Sequence, residues 1–109
     1  MGTLVHKPER LSRERTWADI MALREGCGFR TVTKFGRDYE CHANPTVPVT
    51  IGWGERDRIL HLRMADLARE RIPGAVHVTL PGCGHMPMSD DPALVASVIL
   101  NTVATAAMP

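Results

Sequence analysis

The sequence predicts an α/β fold in which two parallel strands are flanked by helices and preceded by a helical N-terminal segment. Three observations carry that expectation. "VPVTIGWG" (47–54) is a short apolar run closed by glycine, and "VHVTL" (76–80) alternates apolar and polar residues as a strand does. Between them Leu60, Met64, Leu67, Ala68 and Ile72 recur at helical spacing. Strand, helix and strand make a right-handed crossover unit, whose strands run parallel.

Taken in order, the first expected element is a helix within "LSRERTWADIMALREG" (11–26), where Trp17, Ile20 and Met21 share a face and Gly26 supplies the stop. From Cys27 to Pro45 the text is irregular: "FRTVTKF" alternates like a short strand, and Gly36, Asn44 and Pro45 punctuate a loop. The first strand of the crossover starts near Val47, with Pro48 limiting its hydrogen bonding there. The turn "ERDR" leads into the middle helix, which Pro73-Gly74 ends. After the second strand, the loop "PGCGHMPMSD" (81–90) runs to a last helix. Asp90 or Asp91 can cap that helix, and Pro92 suits its first position, where a missing N–H costs nothing. Leu94, Val95, Val98 and Ile99 form its expected buried stripe.

A chain of 109 residues has room for one small domain. Its 44% apolar and 23% charged residues are those of an ordinary globular protein. A formal charge of +1, with arginines scattered rather than run together, argues against nucleic acid as a partner. Cys27, Cys41 and Cys83 are odd in number and lack paired spacing, which fits reduced thiols and a cytoplasmic setting. "MGTLVHKPERLSRER" gathers no apolar core of a leader peptide. The longest apolar stretch, "ALVASVIL", is far short of the ~20 residues of a membrane span, so no membrane association is expected.

In open parallel sheets the groups that do chemistry collect beyond the carboxyl ends of the strands. Two loops meet that condition, "GERD" after the first strand and "GCGH" after the second. Adjacent strands lie about 4.8 Å apart, so Asp57 and His85 fall within reach of each other. A carboxylate beside an imidazole holds one tautomer and stabilises the imidazolium, which equips His85 as a general base oriented by Asp57. Taken singly, the aspartate reads as a turn residue and the histidine as a solvated one; their order on consecutive strand ends is what raises the catalytic reading. Trp53, Met86 and Met88 are candidates for a pocket lining, with core packing as the plainer role.

"VPVTIGWGERDRIL" and, after the helix, "ARERIPGAVHVTLPGCGHMPMSDDPALVASVIL" resemble the C-terminal portion of the α/β-hydrolase fold superfamily, over roughly Pro45 to Asn101. The resemblance implies that Asp57 matches the acid of a catalytic triad and His85 its base. It further implies a small-molecule substrate, hydrolysis of an ester-type or related bond, and no cofactor. Residues 45–109 would be the C-terminal hydrolase segment, and residues 1–44 a lid or cap remnant with its linker.

The family's nucleophile sits in an upstream G-x-S-x-G elbow, and no such motif occurs in these 109 residues. Ser12, Ser89 and Ser97 all fall at helix starts or within helices. The oxyanion donors that the family draws from earlier strands are also missing. The expectation is therefore a fragment of a longer hydrolase, inactive alone, with an apolar strand edge open to self-association. A noncatalytic interaction or regulatory domain on a degenerate hydrolase scaffold is the alternative. Weaker still are a zinc site from Cys27, Cys41, His42, Cys83 and His85, which lacks paired knuckles, and Cys83 as a nucleophile.

Overall fold

The computed structural model describes residues 3–26, 28 and 46–106. Its described elements are a short 3-10 turn (Pro8–Arg10), helix α1 (Arg13–Glu25), strand β1 (Thr50–Gly54), helix α2 (Met64–Arg71), strand β2 (Val76–Leu80), a one-turn helix α3 (Pro87–Asp90) and helix α4 (Pro92–Ala106). The short strand considered in "FRTVTKF", together with Cys27, Cys41 and His42, lies outside the described residues.

β1 and β2 pair in parallel, from Thr50 opposite Val76 to Gly54 opposite Leu80, as the crossover pattern requires. Since side chains alternate across a sheet, Thr50, Gly52 and Gly54 share one face with Val76, Val78 and Leu80. Helix α4 covers that face, where the hydroxyls of Thr102 and Thr50 hydrogen-bond at 2.6 Å. Gly52 leaves space for Leu80, whose Cδ1 would lie 3.3 Å from a Cβ there. Ile51, Trp53, His77 and Thr79 occupy the opposite face, and Ala65 of α2 shares a pocket wall with Thr79.

Two boundaries and one helix face differ from the sequence reading, each for a local reason. β1 begins at Thr50, after Pro48, which has no N–H to give a ladder. α2 begins at Met64 because the Asp57 carboxylate holds the N–H groups of Ile59 and Leu60 in a turn, at 2.8 and 2.9 Å. On α4 the inward stripe is Leu94, Val95, Val98 and Thr102, while Ile99 is 57% exposed. Thr102 follows Leu94 and Val98 at four-residue steps along the face toward β1, which turns Ile99 outward.

The helix stop Gly26 and the cap Asp91 agree with the sequence, and Ser12 adds a cap of its own. The Ser12 side chain accepts the Arg15 N–H at the start of α1, and Gly26 closes that helix through its N–H to the Ala22 carbonyl. Asp91 is the cap of α4, its Oδ1 accepting the Leu94 N–H at 3.0 Å. Asp90, the other candidate, has a different role described below. Among the described residues the buried side chains are few: Val5, Ala65, Leu80, Cys83 and Asp90. All except Ala65 gather around the carboxyl ends of the strands, so the best-packed part of the chain is also where chemistry is expected.

Candidate functional site

Beyond Gly54 the chain turns through Glu55 and Arg56 to Asp57; beyond Leu80 it turns through Gly82 to His85. The two turns are tied together by the backbone. Glu55 donates its N–H to the Leu80 carbonyl at 3.0 Å, Arg56 donates to the Cys83 carbonyl at 2.8 Å, and Glu55 Oε2 accepts the Gly82 N–H at 3.0 Å. Two glycines permit the approach. Gly82 has φ +62°, a left-handed conformation that side chains resist. A Cβ on Gly54 would collide with the carbonyl oxygens of Gly84 and Cys83.

This stitching brings Asp57 Oδ2 to 3.0 Å from His85 Nδ1, the pairing the sequence predicts. The other carboxylate oxygen, Oδ1, is occupied by the Ile59 and Leu60 N–H groups, which fix the plane of the carboxylate. The Asp57 side chain is 7% exposed and that of His85 33%, so the carboxylate is enclosed while the imidazole keeps access to solvent. Burial by itself raises the Asp57 pKa. The hydrogen bond from His85, those from Leu60 and Ile59, and the charge of the imidazolium together outweigh it and hold the carboxyl below its ordinary value.

With an ionised acceptor at Nδ1, the favoured neutral tautomer carries its proton there and leaves Nε2 with a lone pair. A cleft of ≈ 210 Å³ adjoins the pair, with Ile51, Trp53, Leu60 and Pro87 among its walls. Trp53 places its ring there because its indole N–H is already satisfied, donating to the Leu60 carbonyl at 2.8 Å. Met88 is 59% exposed and is not among the lining residues.

The remaining candidates fall elsewhere. Ser12 caps α1, Ser89 lies in α3, and the Ser97 hydroxyl donates to the Leu94 carbonyl within α4. Cys83 is fully buried, and burial followed by the charges of Asp90 and Asp91 pushes its pKa up, against smaller opposing effects of Lys7 and Arg10. A protonated, inaccessible thiol is neither nucleophile nor metal ligand. No group of three His, Cys, Asp or Glu side chains among the described residues is arranged to hold a metal ion.

Sequence reasoning missed two contributors to this rim, Asp90 and the segment Leu4–Lys7. Asp90 is 0% exposed and accepts N–H groups from His6, Lys7 and Gly84 at 3.0, 2.6 and 2.8 Å. Burial raises its pKa, but these three hydrogen bonds outweigh that and lower it. The one available signal was "SDDP": a helix beginning at Pro92 needs a single acidic cap, so the second carboxylate was surplus to that role.

The alpha/beta hydrolase family model matches residues 3–98. An uncharacterized protein of Mycobacterium bovis and one of Mycobacterium tuberculosis are each 36% identical to the chain over 59 residues. That stretch is 54% of this chain and 17% of either relative, so the matched segment spans only a small part of the curated relatives. No solved structure gives a significant match. Among the described residues, no helix is long and apolar enough to cross a membrane. A family match over most of the length, on a chain whose parallel strands end in the loops just described, has one consequence: the chain belongs to the alpha/beta hydrolase family.

Proposed function

We propose that this chain supplies the acid and the base of a hydrolase's catalytic triad, for an ester-type or related bond of a small molecule. The observation that carries the reading is the 3.0 Å contact between Asp57 Oδ2 and His85 Nδ1 at the carboxyl-end rim of parallel strands. In this mechanism His85 Nε2 removes the proton of a hydroxyl nucleophile as that oxygen adds to the substrate carbonyl. It returns the proton to the leaving group as the scissile bond breaks, and then takes one from the water that releases the covalent intermediate. Asp57 stays ionised throughout and stabilises the transient imidazolium.

The nucleophile and the oxyanion donors come, in this reading, from polypeptide beyond these 109 residues, because the sequence holds no G-x-S-x-G. Residues 1–44 belong to the lid side of that hydrolase, with residues 3–7 rooted on the His85 loop through Asp90. Register and end bonds direct the odd-numbered backbone groups of β1 toward β2, leaving those of Thr50 and Gly52 on the other edge. That edge fits the rest of the hydrolase sheet, or another copy of the chain when the rest is absent. A free, buried Cys83 fits a reducing compartment such as the cytoplasm.

The test has two arms. The 109-residue chain alone should hydrolyse p-nitrophenyl acetate no faster than its His85→Ala and Asp57→Ala variants. A longer protein that joins these residues to an in-frame G-x-S-x-G should hydrolyse it well, and His85→Ala or Asp57→Asn should each lower its kcat by about 10⁴-fold. Turnover by the short chain that both substitutions abolish would overturn the claim of inactivity. Unchanged turnover of the longer protein in His85→Ala would overturn the triad.

A further inference from the structure

We infer that Asp90 is a positioning residue for His85, which rests on the reading of Asp57 and His85 as the acid and base. A fully buried carboxylate normally has a cation beside it or a reason to remain. Here its two oxygens accept three backbone N–H groups, with Oδ2 taking Gly84 and His6 and Oδ1 taking Lys7. Gly84 is the residue immediately before His85. The residue immediately after it, Met86, donates its N–H to the Leu4 carbonyl at 2.9 Å. Leu4 in turn belongs to the segment that Asp90 holds through His6 and Lys7.

The backbone on both sides of the histidine is thus fixed by one carboxylate, directly on the Gly84 side and through Leu4–Lys7 on the Met86 side. Space around Gly84 is closed as well: a Cβ there would lie 3.0 Å from the His6 nitrogen and 3.3 Å from Asp90 Oδ2. Arg10 supports the arrangement from outside, its guanidinium donating to the Asp90 carbonyl at 2.7 Å. Asp90 does not reach the reacting atoms. Its effect is to set the backbone from which the imidazole projects, and hence the contact between Nδ1 and Asp57.

The substitution Asp90→Asn keeps the shape and replaces one acceptor oxygen by an NH₂ group. Three donors then face one acceptor and a competing donor, so at least one tie breaks. Nitrogen and proton NMR of the 109-residue chain at neutral pH reads the His85 tautomer directly. The wild-type chain should show the Nδ1–H tautomer with a downfield proton, and Asp57→Asn should abolish that resonance. Asp90→Asn should also abolish it while leaving the amide pattern of β1 and β2 in place.

If Asp57→Asn abolishes the resonance and a folded Asp90→Asn retains it, the role of Asp90 falls and the acid–base pair stands. If Asp57→Asn leaves the His85 tautomer unchanged, the pair falls, and the positioning role falls with it. Should Asp90→Asn fail to fold, hydrogen exchange of the wild-type chain decides. A shared protection factor for the His6, Lys7, Gly84 and Met86 amides supports one clasp; unprotected exchange at Gly84 or Met86 overturns it.

Discussion

The carboxyl-end rim and the outer helices are built on opposite terms. At the rim, Val5, Leu80, Cys83 and Asp90 are buried, and side-chain and backbone ties cross up to 84 residues of sequence. Along α1 and α4 no side chain is buried, and Trp17, Leu23, Leu100 and Val103 are each more than half exposed. Apolar residues at helical spacing ordinarily mark the face that meets a core. On α1 that spacing forms the helix without covering it, and on α4 the stripe Leu94, Val95 and Val98 faces the sheet only half-buried. The rim is held by polar ties and close backbone approach, whereas α1 relies on its own hydrogen bonds and caps and α4 adds a half-buried stripe and the Thr102–Thr50 bond. Substitutions at the rim should therefore cost much, and substitutions on the outer helices little.

The strongest test of that contrast is Gly54→Ala. Its Cβ meets two backbone carbonyls, which cannot yield as a side chain would, so the Asp57 and His85 turns must part. The expected loss is about 3 kcal/mol in urea unfolding, with the His85 to Asp57 hydrogen bond lost from the NMR spectrum. Gly52→Ala is the control, two residues earlier on the same strand. Its Cβ meets only the Leu80 side chain, so the change should cost less than about 1 kcal/mol. Equal costs at the two glycines would mean that the rim is not the rigid part.

Cys83→Ser is the next in size. The serine hydroxyl would be buried at a position that is 0% exposed, at a cost of about 2 kcal/mol. The same burial predicts that iodoacetamide modifies native Cys83 only as fast as the chain opens. Rapid alkylation of the folded chain would remove Cys83 from the packed rim.

How legible this rim was in the sequence depends on the range of each interaction. Asp57 and His85 could be read because each follows a recognisable strand and adjacent strands have a fixed spacing. The helix stop Gly26 and the cap Asp91 could be read because their partners lie three or four residues away. The clasp of Asp90 on His6 and Lys7 could not, because its partners are backbone N–H groups that carry no residue identity and lie 83 or 84 positions away. Nor could the exposure of Trp17, since periodicity reports that a helix has an apolar face and is silent on what that face meets.

A third test uses pH. The carboxyls of Asp57 and Asp90 both have pKa values lowered in the folded chain relative to the ordinary 3.8. A lowered folded pKa contributes stability that is present above the unfolded value and is lost as pH falls through the folded one. Urea unfolding should therefore show wild-type stability falling progressively below about pH 4. The Asp57→Asn chain should show a shallower fall, so the gap between the two narrows as acid is added. A gap that stayed constant from neutral pH downward would place the Asp57 contribution in packing rather than in charge.

The smallest expected effect tests the other side of the contrast. Trp17 is 65% exposed on α1, a helix with no buried residue, so Trp17→Ser removes little contact in the folded chain. Serine has somewhat lower helix preference than the best formers, a difference of a few tenths of a kcal/mol from tryptophan at most. The stability of the chain should therefore change by less than about 0.5 kcal/mol, and the His85 resonances should not move. A loss above about 1 kcal/mol would exceed what an exposed side chain can lose through propensity. It would mean that α1 packs its tryptophan face against another surface in solution, most simply a second chain, which dilution before sedimentation analysis would separate from an intramolecular contact. In that case the helices would belong with the rim as load carriers, and the division between the two regions would move to the interface that covers Trp17.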